Sequence, residues 1–199
     1  MTNSIPDIID HLAGIAPGSK GAVLRARRPV TKEGAQASWL ALFAPADTSQ
    51  FSLGERFAVA TFVAALHGQP EITAFYAAKL ASEENGKALL AAVNTAVADG
   101  TGKGPYGHYR AGPLSAEDEG GPVLTVRAAE KAVLGTRLSV ALEHAHLLVF
   151  HLRDAEPQAL GRLITAGWST TGIVTLSQLV SFLAFQIRII TGLKILAAA

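Results

Sequence analysis

The sequence predicts an all-α protein, and three observations carry that expectation. Helix-boundary residues recur at the spacing of short helices, β-branched residues are sparse before the last apolar stretch, and no segment alternates apolar and polar residues as a half-buried strand does. The length of 199 residues suits one domain or two small packed halves. A chain of that size buries about 70% of its unfolded surface and needs no covalent staple. None is on offer, because cysteine is absent. Disulfides, thiolate–metal sites and thiol redox chemistry within the chain are therefore excluded. The net charge of +1 removes the electrostatic case for wholesale phosphate or nucleic-acid binding. Only 17% of the residues are charged and 49% are hydrophobic, against a usual ~25% charged. That shortage points to apolar surface hidden in a homo-oligomer, expected between dimer and hexamer.

Residues 1–50 are expected to form an irregular arm, interrupted by Pro6, Pro17, Pro29 and Pro45, with a short helix over 5–12. No basic leader opens the chain, and Pro6, Asp7 and Asp10 argue against a secretory peptide. Residues 20–32 carry Lys20, Arg25, Arg27, Arg28 and Lys32 without an acid. With no interleaved aromatic residue for stacking, this run reads as a solvated arm rather than an anion-binding one.

The helical domain is expected over 51–199, in halves 51–99 and 123–199. Ser52-Leu53-Gly54-Glu55 fits a capping box, and it opens a helix through residue 66 that Gly68 closes. Pro70 suits the first position of a helix over 71–81, and a third helix runs over about 87–98. The Gly/Pro-rich crossover 100–122 is no regular element. A long helix over 126–151, apolar nearly all round, is expected to be buried on every side. Asp154 caps a shorter helix ending near Ala166-Gly167, and Ser169 or Thr170 caps a last helix that stops near Gly192. The stretch 173–196 is long enough to span a bilayer of ~20 residues. It contains Gln178, Gln186, Arg188 and Lys194, and a central arginine costs about 2.5–3.5 kcal/mol on insertion. The expectation is a buried helix of a soluble, cytoplasmic protein with no membrane partner.

The crossover matches G-x-G-x-x-G literally at Gly102-Lys103-Gly104-Pro105-Tyr106-Gly107. A dinucleotide loop requires a strand before it and a helix straight after it; here a helix precedes and Pro105 removes an amide. Tyr106, His108, Tyr109 and Arg110 either cover a pocket as substrate-binding groups or belong to a flexible surface loop. The acidic run Glu117-Asp118-Glu119 reads as a solvated face. The densest chemistry is Glu143-His144-Ala145-His146-Leu147-Leu148-Val149-Phe150-His151. Glu143 and His146 stand three apart on a helix, so the carboxylate can orient the imidazole and support its charged form as a proton relay. His144 and His146 face opposite sides and H-E-x-x-H is absent, so no metal or other cofactor is expected. A satisfied internal polar pair is the competing reading. Gln186 and Arg188 interrupt the last helix. A buried arginine needs a partner; Glu143, a subunit interface or an acidic ligand would each supply one.

The block Asp154-Ala155, Leu163 through Ser169, Ile173 through Val180, Phe185 through Arg188 and Gly192-Leu193 resembles the AhpD-like superfamily of alkylhydroperoxidases and carboxymuconolactone decarboxylases. The stretch from Leu53-Gly54-Glu55-Arg56 to Tyr76 resembles its N-terminal repeat, so the likeness covers about residues 50–195. It implies an oligomeric helical fold of two quasi-repeated halves, with the site between the long helix and the last helix beneath the 100–122 loop. The family's peroxidases use a Glu, a Cys-x-x-Cys and a His. Aligned on Ala166-Gly167, those positions fall on Val140, Leu152, Ala155 and Ala159. The thiol mechanism is therefore absent. The decarboxylase branch works through acid–base groups instead. The resemblance thus implies acid–base chemistry on a small lactone or carboxylate. If the chain is an enzyme, its own residues point to Glu143 as base or orienter, His146 as proton carrier and His151 at the pocket mouth as the catalytic groups, with Arg188, Gln186, Tyr106 and His108 binding substrate. The alternatives are a scaffold for a cysteine-bearing AhpD-like paralogue and a binder of small apolar ligands.

Overall fold

The computed structural model describes residues 7–198, and among them the protein is all-helical. The helices are α1 (Ile8–Ala13), α2 (Lys20–Ala26), α3 (Pro29–Phe43), α4 (Leu53–Leu66), α5 (Pro70–Ala81), α6 (Gly86–Gly100), α7 (Ala128–Phe150), α8 (Pro157–Thr165) and α9 (Thr170–Ala198). The described residues contain no strand; a single bridge joins Gly107 to Glu119. Two compact units divide the described chain: 47–180, and 7–46 with 181–198.

In the larger unit α4 packs on α5, α6 and α7, and α7 packs on α6 and α8. The Ser52 capping box forms in full, with Ser52 accepting the Glu55 N–H and Glu55 accepting the Ser52 N–H. Pro70 starts α5 at its first turn. The core helix is α4: every residue from Arg56 to Ala64 is buried, with Phe62 and Val63 wholly enclosed. The long helix α7 does not have the all-round burial expected of it, since Val133 is 48% exposed. It is also broken at Gly135, whose φ of 74° and ψ of 164° are not helical. Arg137, just beyond the break, donates to Glu55, to the Gln50 carbonyl and to the Gly167 carbonyl. Its guanidinium lies 3.9 Å from the centre of the Trp168 ring, and the Trp168 indole N–H returns to the Arg137 carbonyl.

Three expectations need correction here. Residues 20–43 are not an irregular arm but two helices, because Pro29 occupies the first turn of α3, where its missing N–H costs nothing, rather than a helix interior. The predicted 5–12 helix lies partly outside the described residues and is observed as α1. Asp154 caps nothing: Glu156 precedes α8, with Pro157 at its first position. Finally, α9 runs through Gly192 to Ala198.

In the smaller unit α1 and α2 pack on α3, around Ile8, Ile9, Trp39 and Phe43. The basic run is partly neutralised from within. Arg25, 7% exposed, bonds both Asp7 oxygens and Asp10, and Lys32 joins Asp10. By length and composition α7 and α9 could each cross a membrane; half of the most apolar window of each is buried within the protein.

Candidate functional site

A cavity of about 320 Å³ opens beside the C-terminal half of α7, lined by Leu124, Thr125, Glu143, His146, His151, Asp154 and Arg162 among others. The three catalytic candidates named from sequence therefore share one cavity. The carboxylate–imidazole couple in it differs from the one expected. Glu143 accepts the Val126 N–H at 3.0 Å, fixing the chain segment that walls the cavity, and forms no ion pair with His146 among the described residues. Asp154 is the partnered carboxylate: it stands 3.1 Å from His151 Nδ1 and accepts the His108 N–H at 3.0 Å.

His146 is 1% exposed. Its Nε2 lies 3.0 Å from the Gly100 carbonyl. A carbonyl only accepts, so Nε2 carries the proton and Nδ1 holds the lone pair. Burial lowers the His146 pKa first; the Gly100 bond opposes that shift, and the charge of nearby His151 adds to it. The ring is thus neutral and basic at Nδ1 near neutral pH. His151 has acceptors on both sides, Pro122 carbonyl at Nε2 (2.9 Å) and Asp154 at Nδ1. Burial alone would raise the Asp154 carboxyl. The bonds from the His108 N–H and from the His151 and His108 rings outweigh it and hold the group below its ordinary value.

The crossover is tied down rather than loose. Tyr106 donates its N–H to the Phe150 carbonyl at 2.6 Å, and Gly107 and Glu119 exchange backbone bonds. Arg153 stacks on Tyr109 and donates to the Glu117 carbonyl. The G-x-G-x-x-G match has a packing origin: Gly107 has a φ of +110°, and a Cβ there would lie 2.7 Å from the Asp154 carboxylate. The Tyr106 ring lies 5.3 Å from that of His151, and its hydroxyl accepts the Lys103 N–H. The His108 ring is 70% exposed, 3.5 Å from Asp154. Neither side chain lines the cavity.

Gln186 and Arg188 belong to the smaller unit. Arg188 does not pair with Glu143; it donates to the Ala184 carbonyl of its own helix. The last helix likewise contributes no residue to the cavity lining, contrary to expectation. The cation of the site is Arg162, exposed on α8 and without an acid partner among the described residues. Nothing in the sequence around Arg162 points to a site, since α8 brings it to the cavity only by packing on α7, and in the sequence Asp154 reads as a helix cap. The i,i+3 spacing of His151 and Asp154 was the available signal. His144, on the other side of α7, is buried with neither ring nitrogen bonded among the described residues, and burial followed by Arg162 lowers its pKa. No group of metal-ligating side chains occurs among the described residues. No protein-family model matches this chain, and no curated protein or solved structure matches it either.

Proposed function

We propose that the α7 cavity is a cysteine-independent acid–base site for a small lactone or carboxylate, the activity that the resemblance to AhpD-like decarboxylases implies. The observation that supports the reading is His146: the Gly100 carbonyl holds its Nε2–H, which leaves the lone pair on Nδ1, and the residue lines a cavity together with Glu143 and Arg162. His146 takes a proton from a substrate carbon, or from water attacking a lactone carbonyl, and the Gly100 carbonyl holds the imidazolium that results. Arg162 binds the substrate carboxylate. Glu143 keeps segment 123–126 in place through Val126 and presents its second oxygen to protons in transit.

Turnover of a panel of small lactones and carboxylates tests this. General-base catalysis contributes about 10²–10⁴-fold, so His146→Gln lowers kcat/KM at least ~100-fold with the circular dichroism spectrum unchanged. Glu143→Gln abolishes turnover, and Arg162→Ala raises KM while sparing kcat. Absence of turnover by the wild-type protein across the panel, or an unchanged rate in His146→Gln, contradicts the proposal.

A second reading is favoured by where the imidazole bonds end. His146 holds Gly100 and His151 holds Pro122, the two ends of the crossover, so the pair closes that loop whether or not it catalyses. On this reading His146→Gln speeds hydrogen exchange in 101–122 and changes no reaction rate.

A further inference from the structure

A second cavity, of about 250 Å³, lies within the smaller unit, separate from the acid–base site. Its apolar lining comes from Leu24, Ile189, Leu193 and Leu196, and its charge from Arg25, Arg28 and Arg188. Arg25 is already neutralised by Asp7 and Asp10. Arg28 and Arg188 are exposed and form no ion pair among the described residues. Two guanidinium groups without an acid partner among the described residues therefore line an apolar hollow.

The order along α9 gives the hollow a direction. Arg188, Gly192 and Leu196 follow at i, i+4 and i+8, one stripe of a single helix face, with Ile189 and Leu193 beside it. At 1.5 Å per residue the stripe is about 12 Å long, charged at one end and apolar at the other. Gly192 at its middle is unexplained by the backbone: it has no positive φ, and a Cβ placed there would meet nothing within 4 Å. A glycine inside a helix costs roughly 1 kcal/mol relative to alanine. What it leaves here is empty space on the cavity wall.

We infer that this cavity binds a medium-chain carboxylate, with the headgroup on Arg28 and Arg188 and the acyl chain lying over Gly192 toward Leu196. The planar guanidinium fork matches a carboxylate in two-bond geometry. The cavity is small, about 250 Å³, and the stripe of about 12 Å sets the length of the chain it takes. Octanoate is the probe matched to that length.

The test is an NMR chemical-shift titration of the full-length protein with octanoate, octan-1-ol and acetate. Octanoate binds at least tenfold more tightly than either octanol, which lacks the charge, or acetate, which lacks the chain. The exposed-site double variant Arg28→Ala/Arg188→Ala brings octanoate down to the octanol level. Gly192→Leu fills the hollow and abolishes binding, with the melting temperature kept or raised. His146→Gln binds octanoate as the wild type does, which separates this site from the acid–base cavity. The inference is overturned if the wild-type protein does not bind octanoate, or if octanol binds equally well. It is also overturned if either arginine-free or Gly192→Leu protein retains full affinity, or if His146→Gln loses it.

Discussion

The ring protons on Nε2 of His146 and His151 end on the carbonyls of Gly100 and Pro122, which bound the crossover. Three histidines within the eight residues 144–151 thereby have three different surroundings. His146 is neutral with its base at Nδ1. His151 sits between two acceptors, and His144 is buried with no hydrogen bond among the described residues. An unbonded buried imidazole stabilises nothing through its nitrogens, so an apolar replacement removes only a desolvation cost. His144→Leu is expected to leave stability unchanged or raise it by up to ~1 kcal/mol, as read from chemical denaturation. A loss larger than that would mean the ring has a polar partner in solution. The His146 substitution, by contrast, frees the Gly100 carbonyl and removes the base together.

At the level of elements, Arg137 does more than any residue named from the sequence. It joins the cap of α4 through Glu55 to the turn before α9 through the Gly167 carbonyl, and it covers Trp168. A lysine keeps the charge but cannot supply the fork or the flat stacking face. Arg137→Lys should therefore cost about 2 kcal/mol, as two of three hydrogen bonds at ~1 kcal/mol each are lost. Equilibrium unfolding measures this, and a change within ~0.5 kcal/mol would show that the fork is not stabilising.

Local chemistry explains which elements were legible. The Ser52–Glu55 box and Pro70 are complete within four residues and announce their helices. Pro29 has the same meaning as Pro70, but in a stretch with four prolines it reads as an interruption. Gly135 looks like any helical glycine until the helix is seen to break there. The cavity was half legible. Glu143, His146 and His151 lie on one short segment, whereas Arg162 reaches them only through the α7–α8 packing. Assigning Arg188 to the same site required a tertiary contact that no spacing encodes.

For the whole molecule, the titrations give stability a defined pH dependence. Folding lowers the His144 and His146 pKa values below 6.5, so the unfolded chain takes up protons first as the pH falls. The contribution is complete above about pH 6.5 and is lost as the pH drops through the folded-state midpoints. Asp154, lowered below 3.8, acts in the same direction only in stronger acid. The melting temperature should fall between pH 7 and pH 5, and fall less in His144→Leu. A flat profile across that range would contradict the burial of these rings as neutral bases.

The central proposal, that His146 serves the α7 cavity as a neutral base through Nδ1, is tested most directly by nitrogen NMR of the histidine rings between pH 5 and 8. The account predicts that His146 carries its proton on Nε2, titrates below 6.5, and shifts when a small carboxylate is added to the wild-type protein but not to Arg162→Ala. A proton on Nδ1, or a midpoint above 6.5, would contradict it.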